Sequence, residues 1–145
     1  SRADLSRADL SGANLSRADL SGAVGTEFAI AITRILPEGS IIGWKRAYTE
    51  SGDPVIVRLR VPENAKRSHA FGRKCRAEFA EVLELKSMTM KSGRLVKPAV
   101  NEHDSSFVYR VGETVRPKCG FSEDWMSECE SGIHFFITKL EAENY

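Results

Sequence analysis

No apolar run in this chain approaches the roughly 18 residues that a membrane-crossing helix needs, so no such span and no membrane partner are expected. Cysteine is scarce. Cys75, Cys119 and Cys129 are an odd number with no C-x-x-C pair, which excludes a disulfide scaffold and fits a reducing, cytoplasmic compartment. Metal-ligand spacing is missing too. Cys119, Cys129 and His134 stand as C-x9-C-x4-H, without a paired-ligand signature or a fourth ligand, so no metal and no cofactor are expected. Neither sign of charge is in excess, with 21 basic against 20 acidic residues. No complete set of nucleophile, base and orienting group can be assembled, so the expectation is a protein without enzymatic activity.

What is present begins at once. Residues 1–23 read SRADL SRADL SGANL SRADL SGA, a five-residue period without a slip. Leu5, Leu10, Leu15 and Leu20 share one place in the unit, and Ala3, Ala8, Ala13 and Ala18 share another. Five matches neither the helical period of 3.6 nor the strand period of 2. It suits a solenoid in which each unit forms one side of a coil, with Leu inward, Ala in the tight space beside it, and Ser, Asp and Arg facing water.

The units Ala3-Asp4-Leu5, Ala8-Asp9-Leu10, Ala13-Asn14-Leu15 and Ala18-Asp19-Leu20 resemble the pentapeptide-repeat family, whose motif is A-(D/N)-L-x-x. The resemblance implies a right-handed quadrilateral β-helix. Four units make only one coil, and a solenoid coil buries its inner face only against its neighbours. The chain opens in mid-pattern, so the coil is expected to be the end of a longer solenoid, its open face frayed or covered by a second copy. Some relatives imitate DNA with a long acidic rod; this neutral repeat departs from that pattern.

After Ala23 the pattern changes, and the chain divides into a repeat over 1–25 and a mixed α+β domain over 26–145. The expected fold is mainly β with short helices. A helix from Thr26 to about Leu36 would cover the coil's end. Ile41–Tyr48 and Val55–Val61 read as a hairpin, with Val55, Val57, Leu59 and Val61 on one face. Glu63 to Ala70 reads as a short helix after Pro62. The stretch after Ala77 reads as a strand, although Phe79, Val82 and Leu83 also fit a helix face. Phe107–Val111, Thr114–Arg116 and Gly132–Ile137 read as strands. Thr138-Lys139-Leu140-Glu141 is a capping box that should start a helix. The order strand, strand, helix occurs twice, hinting at a duplication. Gly72–Glu78, Tyr109–Gly112 and Cys129–Phe136 resemble an uncharacterised domain that accompanies pentapeptide repeats, chiefly in phage and bacterial proteins.

Charge is balanced globally but not locally. Arg58, Arg60, Lys66, Arg67, Arg73, Lys74 and Arg76 face one acid, Glu63, in that segment, whereas 121–145 is acidic. The basic segment suggests a nucleic-acid surface, but a solvated basic face or pairing with the acidic end is the stronger reading. Cys75 lies among cations that would lower a thiol's pKa. Gly132-Ile133-His134-Phe135 with Asn144-Tyr145, and Tyr109 upstream, resemble segments of ADP-ribosyltransferases. That resemblance implies an NAD-binding role for Tyr109 and His134, but the family's catalytic Glu has no counterpart here. The leading expectation is a protein-interaction or assembly module capping a β-helix, with a protein partner or self-association through the coil's end.

Overall fold

The computed structural model describes residues 4–6, 8–10, 23–25, 29, 35–69, 72–90, 97–102, 104, 106–124 and 130–145. Leu15, Leu20, Ala3, Ala13 and Ala18 lie outside them, as does the expected Thr26–Leu36 helix apart from Ala29, Ile35 and Leu36. Of the repeat, Leu5, Ala8 and Leu10 are half-buried and Asp4 and Asp9 exposed. Asp4 and Val24 form a parallel bridge, and the Leu5 N–H donates to the Val24 carbonyl. The described residues do not trace a complete coil.

Beyond the repeat the chain is mainly β. Strands β1 (Ile41–Tyr48) and β2 (Pro54–Val61) form the expected hairpin, in register from Ile41 opposite Val61 to Tyr48 opposite Pro54. The turn closes through Thr49 and Asp53, whose side chains and backbone bond each other, with Gly52 at φ 90°. The alternation in β2 puts Val55, Val57, Leu59 and Val61 fully inside. Burying each such side chain is worth about 1.5–3 kcal/mol.

Next come β3 (Arg67–His69), β4 (Cys75–Ala77), β5 (Ala80–Ser87), β6 (Ala99–Val100), β7 (Val108–Tyr109), β8 (Thr114–Val115), β9 (Ile133–Phe135) and helix α1 (Lys139–Glu143). They build a six-stranded antiparallel sheet, β7-β6-β1-β2-β5-β8, and a three-stranded one, β3-β4-β9. The main core lies between them, where Val57, Leu59 and Leu85 meet Cys75, Ala77, Ile133 and Phe135. On the opposite face of β1 and β2, Trp44, Ile56 and Phe136 pack with Ala142 of α1.

One departure from expectation and one irregularity in an expected strand have local causes. The segment after Pro62 is a turn leading into β3, not a helix, so the proposed strand–strand–helix duplication has no first helix. Arg67 holds this turn by donating to the carbonyls of Gly39, Pro62 and Ala65. In β5 the register shifts so that Arg58 faces Glu84 and Leu59 faces Val82, leaving Leu83 as an extra residue. This bulge lets Val82 and Leu85, three apart, both point inward. It accounts for the helical spacing in a strand's sequence. The capping box forms as expected: the Glu141 N–H donates to Thr138 Oγ1, which donates to the Glu141 carboxylate.

Candidate functional site

The site follows from how β1 is shared. One edge of β1 is fully paired with β2. The other edge pairs with β6 only at Tyr48–Val100, and at Trp44 it meets Phe136, which leaves the end of β9 to bond it in both directions at 2.8 and 2.7 Å. Between those attachments, at Lys45 and Arg46, the described residues add no strand to the edge. A cleft of about 440 Å³ occupies the gap, lined by Lys45, Lys74, Tyr109, His134, Phe136 and Tyr145 among others.

Lys45 is the residue that sequence reasoning missed. Directly opposed residues share a face, and Lys45 is opposite the fully buried Val57. A period-2 count along β1 also groups it with Ile41, Gly43 and Ala47, so the signal was in the sequence. Its half-buried stem places the ammonium 5.0 Å from the centre of the Tyr109 ring. Burial, reinforced by Lys74, lowers its pKa to about 7.

Tyr109 is fully buried, and its hydroxyl donates to Asn101 Oδ1 at 2.7 Å. Burial holds its pKa well above the usual value. His134 is half-buried, with Nε2 2.8 Å from the Glu130 carbonyl. Burial, and then Lys74, Lys45 and Arg76, lower its pKa to about 4 against the Glu130 bond, which favours protonation. Lys74 donates to the Tyr145 hydroxyl at 2.9 Å and lies over the same ring. The structure therefore brings Lys74, Tyr109 and His134 to one cleft.

The low pKa of His134 has a consequence for stability. Above about pH 6.5 the imidazole is neutral whether the chain is folded or not. Between about 6.5 and 4 the unfolded chain binds the proton first, so stability falls as the pH is lowered through that window. Urea unfolding at several pH values should show this slope, and His134→Asn should flatten it. An unchanged slope in the variant would contradict the assignment.

The other cations described between Arg58 and Arg76 do not line this cleft or form one face. Arg58 lies 5.8 Å from the centre of the Trp44 ring, on the α1 side of the sheet. Arg60 pairs with Glu81 at 2.6 Å and Arg73 with Glu141 at 2.7 Å. Lys66 pairs with Glu123 at 2.9 Å. Two basic side chains thus meet the acidic terminal segment. Arg76 corrects the reading of a basic phosphate-binding patch: it is 1% exposed and donates to the carbonyls of Ser122, Ser131 and Asp124, each at 2.8 Å. Its guanidinium holds a loop rather than a ligand because its donors are turned inward onto backbone. Cys75 is fully buried in the core and bonds the Arg73 carbonyl, so its thiol is not presented to solvent. Cys129, needed for any C-x9-C-x4-H site, lies outside the described residues.

A pentapeptide repeat followed by a mainly antiparallel β domain with a basic cleft defines the class of protein. The chain belongs to the family of unknown function DUF5758, which matches residues 32–142. Pentapeptide repeats match residues 1–27, so the expected pairing of repeat and uncharacterised domain is present. No curated protein and no solved structure matches the chain. Among the described residues no helix is long and apolar enough to cross a membrane.

Proposed function

We propose that this protein is a non-enzymatic interaction module in which a pentapeptide-repeat coil is capped by the β domain and associates through its open face. The observation that carries this reading is the parallel bridge between Asp4 and Val24. Those residues are twenty apart, the length of four five-residue units and so of one circuit of a four-sided coil. Half-buried Leu5 and Leu10 beside exposed Asp4 and Asp9 support the same phase. A coil with leucines inside has two apolar ends, and the repeat's regular backbone suits stacking on a second coil.

The test is sedimentation of the whole chain over a wide concentration range. Reversible association is expected, and Leu10→Asp should weaken it at least about tenfold, because a carboxylate in the leucine row is costly to desolvate. Unfolding of the β domain should be little changed in that variant. A monomer at every concentration, or association indifferent to Leu10→Asp, would remove the support for this function.

A further inference from the structure

We infer that the cleft beside Lys45 binds a compact oxyanion, a phosphoryl or carboxylate group of a small ligand, between the ammonium groups of Lys45 and Lys74. The first argument is placement. A cation on the inward face of a central strand, opposite Val57, is uncommon in a β core unless its charge is used. Among the described residues no strand is added to the edge beside it, and a cleft lies there.

The second argument is a contrast in pairing. Arg60, Lys66, Arg73, Lys118 and Lys139 each have a carboxylate within salt-bridge distance. Lys45 and Lys74, among the described residues, have none. Lys45 rests on the Tyr109 ring, and Lys74 on the ring and hydroxyl of Tyr145. Each ammonium has three donors, so both keep donors to offer. They also repel each other, which adds to burial in lowering the pKa of Lys45. An anion between them relieves that repulsion and makes charge-assisted hydrogen bonds.

The third argument is the rest of the lining. Its acids do not occupy the place of the anion: Asp104 is committed to Lys118, and Glu102 and Glu130 are exposed at the rim. Phe107, Phe136 and Tyr145 give the uncharged part of a ligand an apolar wall. The volume, about 440 Å³, is in the range of small-molecule sites. This inference rests on the cleft alone and is independent of association through the repeat.

The experiment titrates the whole chain with inorganic phosphate and, separately, with acetate at constant ionic strength, following amide NMR shifts. Lining residues Gly132 and Ile133 should shift saturably. Saturation with phosphate identifies a phosphoryl site, and saturation with acetate a carboxylate site. Lys45→Met keeps the apolar stem and should weaken binding about tenfold or more; Lys74→Met should weaken it several-fold. Lys86→Met, at an exposed residue of β5 outside the cleft, should leave it unchanged. If Lys45→Met does not fold, protection of Lys45 from acetylation by bound anion in the parent chain decides the matter. Shifts that stay linear with both anions, equal binding by the folded Lys45→Met or Lys74→Met variant, or an unprotected Lys45 would overturn the inference.

Discussion

Arg76→Leu is expected to destabilise the β domain by about 3–5 kcal/mol, a large part of the stability of an ordinary domain. The wild-type side chain lies in the middle of β4, the central strand of the smaller sheet. Its Nη1 donates to Ser122 and Ser131 and its Nη2 to Asp124, while the guanidinium centre lies 5.3 Å from the centre of the Phe121 ring. Leucine would fill part of the space but leave three carbonyls without those donors, at about 1–3 kcal/mol for each that stays dry. Some will find water, which is why the expected total is below the sum. Arg76→Lys should recover less than half, because one ammonium cannot reproduce the planar fork. Urea midpoints of the three proteins test this. A loss below about 1 kcal/mol for leucine would mean that the loop is held by something else. Because Ser131 leads into Gly132 and His134, the same variant should also disturb the cleft wall.

The second large effect concerns the closeness of the two sheets. A methyl group on Gly43 would stand 2.5 Å from Cδ2 and 3.0 Å from Cγ of Phe135, a ring that is 1% exposed. Neither β1 backbone nor the buried ring has room to give. Gly43→Ala should therefore cost about 1–3 kcal/mol by overpacking. Phe135→Ala should cost about 3–5 kcal/mol by opening a cavity. The informative result is the coupling. In a Phe135→Ala background the clashing ring atoms are gone, and Gly43→Ala should become nearly neutral. Equal penalties in both backgrounds would show that the glycine is needed for some other reason than the approach of Phe135.

Much of the β framework was legible in the sequence, for reasons that individual residues make plain. Val55 to Val61 alternate without error, so one face of β2 had to be buried whatever it packed against. Thr138 and Glu141 carry a reciprocal cap in four residues. The five-residue period announced a pentapeptide repeat. The stretch after Ala77 is the expected strand, and Phe79, Val82 and Leu83 fitted a helix face as well; the bulge at Leu83 that shifts its phase is decided by the partner strand. Elsewhere two local patterns competed and the reading failed. The residues after Pro62 looked helical by propensity, but Arg67 gathers three carbonyls from that turn and the segment before β1, a contact across 28 residues.

The basic segment shows the same division more sharply. Its composition was plain, and charges alone favoured a solvated face or pairing with the acidic terminal segment over a nucleic-acid surface. Composition has no direction, however. Arg76 sits on β4 and lies in the interior, whereas Arg73 and Lys74 precede that strand, Lys74 lining the cleft and Arg73 meeting Glu141. Sequence by itself determined the repeat, the mainly β character, the hairpin and the final helix, because each rests on residues a few positions apart. Only the tertiary structure decided that Lys45, Lys74, Tyr109 and His134 share one cleft. They come from four separate parts of the chain, and they meet beside β1, where the described residues add no strand between its bridges to Phe136 and Val100.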